Sequence, residues 1–395
     1  MTECRLAFVI PWFGWEIPGG AESYCRDLSS RLARRGYGVE ILSTCARELA
    51  SDWNVDHHRP GNRTERGVTV RRFRVQPGDH AAFNSLNERL LLGGSITADE
   101  ERVFINNIIN SRDLVSFIAD HTDDYYFFFI PYMFGTTYWG LRAAGNRGIL
   151  IPCLHDEPYA RLDIMQNLFR DVRAMLFNSE PECRLANRLY DLSRCDQVVL
   201  GIGVEPHETK VRSLPIQDPF LLCLGRKDSG KNTGLLVRYF EIFKRHHPSP
   251  LKLVLAGPGS VPLCEDCIDL GFVDTGTKAA LLENALAICQ PSTNESFSKV
   301  IMEAWLAQTP AMVHRSCAVT RGHVQDSEGG LCFSDYYEFE ACLEVLLHGS
   351  ETANTLGKNG HEYVTRKYSW QALLDRFDEW FSEFRRNSNA ETWSV

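Results

Sequence analysis

The chain has 395 residues, of which 44% are hydrophobic and 24% are charged, and its formal net charge is -9. This length exceeds one ordinary core and predicts two domains. The acidic balance argues against nucleic acid as a partner, and the composition is that of a globular enzyme and excludes a disordered chain.

The thirteen cysteines, which run from Cys4 to Cys342 without framework spacing, predict reduced thiols in a cytoplasmic protein. Cys264 and Cys267 have the spacing of half a zinc site, but no second pair follows nearby, so no metal is expected. No signal peptide and no membrane span are expected, because no apolar run reaches about 18 residues. The basic residues at 31–35 indicate a solvated face, although they could touch the inner face of a membrane peripherally.

Strand and helix patterns alternate along residues 1–200, which predicts a Rossmann-like domain with a parallel sheet. A helix is predicted from about Ala21 to Arg35 and another from about Thr97 to His121. The predicted strands are 5–10, 39–43, 68–75, 125–130, 148–153, 174–178 and 197–200.

Glycine and proline make residues 201–219 a predicted linker, and the alternation then restarts over 220–367 as a second Rossmann-like domain. Its predicted strands are 220–224, 251–256, 269–272, 285–289 and 311–313, and its predicted helices are 232–246, 276–284 and 299–308. Residues 368–395 carry many large apolar groups, which predicts a last helix that packs across both domains. The predicted fold class is therefore α/β.

The segment from Gly225 to Asn232 follows a predicted strand and has the spacing of a P-loop as far as Lys231. A P-loop needs Ser or Thr next, and Asn232 stands there, which argues against an NTPase. What remains is a turn with three cations, Arg226, Lys227 and Lys231. Such a turn could neutralise a diphosphate, or it could be an ordinary basic surface turn.

Residues 290–305 form a polar turn between a predicted strand and a predicted helix. The helix should begin near Ser298, whose hydroxyl suits an N-cap, and its free N–H groups suit an anion. Glu295 in the turn and Glu303 on the second helical turn could face the same crevice. The alternative is that both are surface glutamates.

Three further sites follow predicted strands. Gly257-Pro258-Gly259 has Pro262 where a dinucleotide fingerprint needs glycine, which argues against a dehydrogenase. Gly19-Gly20 lets a backbone approach a phosphate or sugar closely, unless it is only a turn. His155 should lie at a carboxyl-terminal strand edge, where α/β proteins bind ligands, although a lone histidine is more often structural.

Taken together, these residues make the chain resemble the retaining glycosyltransferases of family 4, and more loosely the members that build bacterial surface polysaccharides. The resemblance covers nearly the whole chain. It rests on Gly-Gly-Ala-Glu at 19–22, His155, Asn-Ser-Glu at 178–180, Gly-Ile-Gly-Val-Glu at 201–205, Gly225-Arg226 with Lys231, and Glu295 and Glu303 with seven residues between them.

The resemblance implies the GT-B fold, in which two Rossmann-like domains face an interdomain cleft. It implies metal-independent transfer of a hexose-type sugar, with retention, from a nucleotide diphosphate-sugar to a saccharide or lipid-linked saccharide. No cofactor is required. The implied catalytic residues are His155, Arg226, Lys231 and Glu295; the implied donor-binding residues are Gly19 and Gly20, which also line the acceptor side, and Arg226, Lys231, Glu295, Phe297, Ser298, Lys299 and Glu303.

The resemblance implies that Arg226 and Lys231 hold the donor diphosphate and that Glu303 bonds the ribose. It also implies that Glu295, with the N–H groups of residues 297–299, holds the sugar and the distal phosphate. One departure matters, because Ser296 to Lys299 stand where many members have Gly-Phe-Gly-Leu. Lys299 thereby adds a cation near the phosphate. A nucleotide-sugar epimerase of the same fold and a non-catalytic binding subunit remain alternatives, and the donor base and sugar stay open.

Overall fold

The computed structural model describes residues 5–17, 19–206, 214, 216–228 and 230–391, with side chains to residue 387. Some predicted segments lie outside the described residues. They are 207–213 and 215 of the predicted linker, Ser229 of the basic turn, and 392–395 at the end of the predicted last helix. The chain divides into two compact units, Met1–Leu200 with Arg376–Val395, and Gly201–Asp375.

The first unit is built on one sheet with the strand order β3-β4-β2-β1-β5-β6-β7-β8, parallel except where β3 pairs with β4. Strands in the middle of such a sheet are apolar along their length because helices cover both faces. The strands are β1 (Arg5–Ile10), β2 (Val39–Thr44), β3 (Gly61–Glu65), β4 (Val68–Phe73), β5 (Tyr125–Phe129), β6 (Gly148–Leu150), β7 (Ala174–Phe177) and β8 (Asp196–Val199). The helices are α1 (Gly20–Arg34), α2 (His80–Leu91), α3 (Ala98–Asn107), α4 (Arg112–Asp120), α5 (Gly135–Ala144), α6 (Asp163–Asp171) and α7 (Glu180–Leu189).

The second unit has a parallel sheet with the order β11-β10-β9-β12-β13-β14. Neighbouring residues Leu221 and Leu222 of its strand β9 belong to different hydrophobic clusters, so both faces are covered. The strands are β9 (Phe220–Leu224), β10 (Lys252–Ala256), β11 (Cys267–Asp269), β12 (Ala287–Gln290), β13 (Ala311–His314) and β14 (Gly330–Phe333). The helices are α8 (Thr233–His246), α9 (Thr275–Asn284), α10 (Lys299–Leu306), α11 (Ala318–Ser327), α12 (Tyr336–His348), α13 (Ser350–Tyr368) and α14 (Trp370–Glu391). The prediction of two Rossmann-like α/β domains is confirmed.

The boundary between the units falls within α14, the helix that carries the aromatic residues at the end of the chain. In the first unit, Phe381 packs edge-on against Tyr126 with a ring-centroid distance of 5.1 Å. The Arg35 guanidinium lies 2.6 Å from Asp378, and the Trp380 indole donates to Asp196 at 3.1 Å. The C-terminal residues from Arg376 onward therefore complete the core of the first unit.

The predicted helix from Thr97 to His121 is wrong in one respect, because it is two helices. Thr97 forms a capping box with Glu100 at the start of α3, and Ser111 caps α4 by accepting from the Leu114 N–H. The second cap starts a new helix with its own axis, and the residues between the two are buried.

Two elements of the first unit, β3 and α2, were not predicted. The strand β3 is polar and exposed, so it carries no hydrophobic pattern, and it forms by pairing with β4. Arg66 and Gly67 between them have φ values of 51° and 81°, as a two-residue hairpin requires. In the second unit, β11 ends at Asp269 rather than beginning there, because the Asp269 carboxylate accepts from the Gly271 N–H and starts a turn.

A buried carboxylate links neighbouring strands at the amino-terminal edge of the first sheet. Glu40 is fully buried on β2, where Arg5 and Arg71 lie 2.9 and 2.7 Å from its oxygens. The Tyr125 hydroxyl donates to the same carboxylate at 2.7 Å. Three strands, β1, β4 and β5, are thus tied to β2 by one side chain.

We expect Glu40→Gln to lower the free energy of unfolding by about 2–4 kcal/mol, because two arginines lose their counter-charge. Urea denaturation measures the loss. Glu48→Gln is the control, because its pair with Arg47 is at the surface and should contribute less than about 0.5 kcal/mol. Equal effects of the two substitutions would contradict the role given to Glu40.

Candidate functional site

The predicted basic turn and the predicted polar turn meet at the carboxyl-terminal edge of the second sheet. The first follows β9 and the second follows β12, and these strands are neighbours in the sheet. The loop after β10 joins them, since β10 pairs with β9 on the other side. Because parallel strands end at the same edge, all three loops lie where α/β proteins bind ligands.

The basic turn is held in place by backbone contacts with the loop after β10. The Gly225 N–H donates to the Ala256 carbonyl at 2.9 Å, and the Lys227 N–H donates to the Pro258 carbonyl at 2.8 Å. A Cβ atom on Gly257 would lie 1.9 Å from the Gly225 carbonyl oxygen. The Gly-Pro-Gly sequence at 257–259, rejected as a dinucleotide fingerprint, is therefore the support of the basic turn.

The prediction that three cations of this turn serve a diphosphate is wrong for Lys227. Its side chain is only 3% exposed, and its ammonium group lies 2.5 Å from Asp269 at the end of β11. That pair is structural, because it joins the basic turn to the edge strand. Arg226 is different, since its side chain is 66% exposed and its Nε lies 3.4 Å from Asp228.

Lys231 and Glu295 form an ion pair across the two loops. The Lys231 Nζ lies 2.5 Å from Glu295 Oε1, and the Gln290 amide also donates to that oxygen, at 2.8 Å. Asn232, which excluded a P-loop, has a left-handed backbone with φ 56° and donates from Nδ2 to the Pro291 carbonyl at 3.3 Å. Two predicted site residues are thus brought together, with Asn232 and Gln290 as supports.

The turn that leads into α10 contradicts the predicted cap. Ser298 occupies the N-cap position, but its side chain makes no capping hydrogen bond and its φ and ψ are 69° and 72°. A capping side chain reaches the N–H groups from an extended backbone, which this left-handed residue does not have. The Ser298 hydroxyl is buried and lacks a hydrogen-bond partner within the described part of the chain. Phe297 beside it is buried, and Lys299 is the first residue of α10.

Glu303 is held by a residue that the sequence analysis missed. Its carboxylate, 5% exposed on α10, lies 2.9 Å from the Lys278 ammonium group on α9. The side chain borders a small pocket of about 60 Å³ between α9 and α10, to which Glu205 and Glu283 also contribute. No sequence signal identified Lys278, because its partner Glu303 lies on a different helix.

The predicted residues of the first unit lie at the carboxyl-terminal edge of its own sheet. Gly19 has φ 156° and is the N-cap residue of α1, and a Cβ on it would lie 2.0 Å from the Glu22 carboxylate. Glu22 accepts from the Trp12 indole at 2.6 Å. A Cβ on Gly20 would meet nothing within 4 Å, so the backbone there is open to approach.

His155 is half-buried and follows the end of β6. The segment is fixed by Glu182, a residue that the sequence analysis did not single out, which accepts from the N–H groups of Leu154 and Asn178 at 2.6 and 2.5 Å. Burial raises the pKa of Glu182 to about 8. Two residues of the Asn-Ser-Glu sequence at 178–180 are bonded to Glu182. The Asn178 N–H donates to its carboxylate, and the Ser179 hydroxyl caps α7 by accepting from the Glu182 N–H.

Within the described ranges, no group of three or more His, Cys, Asp and Glu side chains is placed to hold a metal ion. The sulfur atoms of Cys264 and Cys267 lie 2.6 Å apart as free thiols. A search of the described helices finds none with the length and apolarity needed to span a bilayer.

Comparison with known proteins finds a family match within the second unit. Residues 206–363 match the model of a family described as glycosyl transferases group 1. This part of the chain is therefore similar to that family. An uncharacterized glycosyltransferase of Methanocaldococcus jannaschii is 24% identical over 344 residues, which are 76% of this chain and 78% of that protein.

Solved structures share the fold of nearly the whole chain. Sucrose-phosphate synthase from Thermosynechococcus elongatus has a TM-score of 0.71 at 17% identity, covering 97% of this chain and 100% of that one. Anabaena HepE in complex with UDP and glucose has a TM-score of 0.66 at 15% identity, covering 96% and 100%. The fold is therefore GT-B, and the family match and the relative support glycosyltransferase activity.

Ser298 provides a test of the backbone geometry of this turn. We expect Ser298→Gly to be about 1 kcal/mol more stable than Ser298→Ala, because a left-handed backbone penalises any Cβ. Both variants remove the buried hydroxyl, so their difference isolates the backbone. Thermal unfolding of the two proteins measures it, and identical melting temperatures would show that residue 298 is not left-handed in solution.

Proposed function

We propose that the protein is a retaining glycosyltransferase of family 4. It transfers a hexose-type sugar from a nucleotide diphosphate-sugar to a saccharide acceptor, free or lipid-linked. The observation that carries the proposal is the Lys231–Glu295 ion pair beside the exposed Arg226, at the carboxyl-terminal edge of the second sheet. If Lys231 turns to a bound anion, Glu295 keeps the Gln290 amide as a donor, so its carboxylate is not left without a partner.

In this proposal, Arg226 and Lys231 neutralise the donor diphosphate, which strengthens it as a leaving group. The amino-terminal end of α10 adds N–H groups and the positive end of the helix dipole. Support comes from Ser298, whose buried hydroxyl at this helix end has no partner among the described residues. A phosphate oxygen would supply that partner. Lys299 brings a further positive charge to the same end.

Glu303 has the properties of a ribose ligand. A carboxylate accepts from two vicinal hydroxyls, and one that is 5% exposed and fixed by Lys278 loses little entropy when it does so. Glu295 then contacts the transferred sugar. The roles of His155 at the sugar and of the Gly19-Gly20 pair near donor and acceptor rest on the family resemblance.

Net retention follows in this proposal from attack on the same face that the diphosphate leaves. The bond from the anomeric carbon to the phosphate oxygen breaks, the bond to the acceptor oxygen forms, and the leaving phosphate takes the acceptor proton. Neither Glu295 nor Glu303 is required as an acid–base pair, which agrees with their ion pairs to lysines. No metal or cofactor is needed.

We expect substitutions of Glu303 and Lys231 to differ in their effects on nucleoside monophosphate and nucleoside diphosphate binding. Glu303→Ala should weaken UMP and UDP by similar factors of about ten or more, because both contain ribose. Lys231→Ala should weaken UDP far more than UMP and lower turnover about 100-fold, because charge on the leaving group goes uncompensated. Calorimetric titration measures the affinities, with GMP and GDP in their place if the wild type prefers guanine.

Lys252→Ala is the matched control for Lys231→Ala. Lys252 is 28% exposed and pairs with Asp266 at 2.6 Å, but it begins β10 and so lies at the opposite edge of the sheet. It should leave UDP affinity and turnover unchanged. Near-normal turnover of Lys231→Ala, or failure of the wild type to bind any nucleoside diphosphate, would contradict the proposal. Sugar products formed without an acceptor would instead identify an epimerase.

We expect EDTA to leave the activity unchanged, because cationic side chains and the end of α10 would neutralise the diphosphate. The measurement is turnover before and after exhaustive chelation, followed by addition of Mg²⁺ or Mn²⁺. Loss of activity that either ion restores would contradict the metal-independent mechanism.

A further inference from the structure

The turn at 295–299, called here the donor turn, is fixed from behind by one aromatic ring. Phe297 is 1% exposed, and its ring packs edge-on against two others. The His323 ring centroid lies 5.3 Å away at an interplanar angle of 78°, and that of Tyr368 lies 5.0 Å away at 78°. The position of the donor turn therefore depends on how these two rings are held.

Both rings are connected to the Tyr363 hydroxyl. His323 Nδ1 lies 3.0 Å from that oxygen, and the Tyr368 hydroxyl lies 3.4 Å from it. The Tyr363 ring also packs edge-on against Trp305 of α10 with a centroid distance of 5.8 Å. Phe297, His323, Tyr363 and Tyr368 make up what is called here the aromatic cluster. It joins the donor turn to α11 and α13, and through Trp305 to the helix that the turn begins.

His323 is an uncommon choice for a core position. It is 3% exposed, and burial together with the nearby Lys367 lowers its pKa to about 3, so the imidazole is neutral near pH 7. A leucine there would avoid the cost of burying a polar ring. A neutral imidazole bonded to one hydroxyl, however, has a defined ring orientation, which leucine does not provide.

The backbone of the donor turn requires packing contacts that hold it in place. Ser298 has a left-handed backbone, a conformation that persists only where the surroundings impose it. The adjacent Phe297 ring is the part of the turn that is anchored in the core. Fixing that ring fixes the direction of the N–H groups at the start of α10.

We propose that His323 and Tyr363 are positioning residues for the donor turn, acting through the Phe297 ring. The inference rests on the proposed function, because the donor turn must bind the distal phosphate and the sugar for its position to matter. Neither residue touches the donor. Their effect should fall on ligands that reach the donor turn and not on those bound by Glu303 alone.

The test is the preference for UDP over UMP, or for GDP over GMP if the wild type binds guanine nucleotides more tightly. Tyr363→Phe removes only the hydroxyl, and His323→Leu removes the hydrogen bond at similar volume. Each should reduce the diphosphate preference about tenfold while UMP affinity stays within about twofold. His323→Asn, which can keep an amide atom near the position of Nδ1, should restore part of the preference.

Tyr336→Phe is the matched control. It removes a tyrosine hydroxyl that donates to Glu340 at 2.6 Å on α12, outside the aromatic cluster. It should leave the diphosphate preference unchanged even if it lowers the melting temperature as much as Tyr363→Phe does. If His323→Leu does not fold, Tyr363→Phe alone decides the question.

The outcomes separate the two proposals. A wild-type protein that prefers the diphosphate, with variants that keep the full preference, would overturn the positioning role and leave the proposed function standing. Equal losses of UMP and UDP affinity in the variants would overturn it too, because they indicate general destabilisation. A wild type with no diphosphate preference would overturn the proposed function itself.

Discussion

Lys231 and Glu295 are 64 residues apart in the sequence and 2.5 Å apart in the structure, and the candidate site depends on that ion pair. It closes the gap between the loop after β9 and the loop after β12. Glu295 is 10% exposed, whereas Lys231 is 26% exposed, so the ammonium group is on the open side. A mostly buried carboxylate that keeps a lysine at the sheet edge is a stable way to present a positive charge to an anion.

Contacts within the second unit hold both loops that carry this pair. The carbonyl groups of Ala256 and Pro258 hold the backbone of the basic turn, and Lys227 ties the turn to β11 through Asp269. On the other side, His323 and Tyr368 of the aromatic cluster pack against the Phe297 ring. The charges at the edge are therefore positioned by groups that do not themselves reach the ligand, as a preorganised site requires.

Most of the fold could be predicted from the sequence, because apolar runs between glycine-rich turns identify parallel strands. β3 could not, since it is polar and is a strand only because β4 pairs with it. The helix break before Ser111 was also missed, although the cap was visible, because the apolar periodicity continued across it. Local signals were thus sufficient for the buried strands and insufficient for the edge.

The sequence was sufficient to predict which residues lie near the carboxyl-terminal edge of the second sheet. It was not sufficient to predict which charged side chains form ion pairs there. The basic turn contains three cations, and the position of Asp269 at the end of β11, which the sequence did not reveal, makes Lys227 structural. Lys278 gave no signal because its partner, Glu303, lies on a different helix. The backbone of Ser298 could not be foreseen either, since serine more often adopts the extended geometry of a capping residue.

Gly257 has a consequence for comparing this chain with others. Its φ is 137°, and any Cβ there would collide with the carbonyl oxygen of Gly225, so the position admits no side chain while the two loops keep their spacing. The charge of an exposed residue such as Arg226 can change on this backbone, whereas a side chain at residue 257 cannot be accommodated. A homologue with another residue at this position must carry the turn on a different backbone, and substrate preferences should not be transferred to it from this protein by alignment.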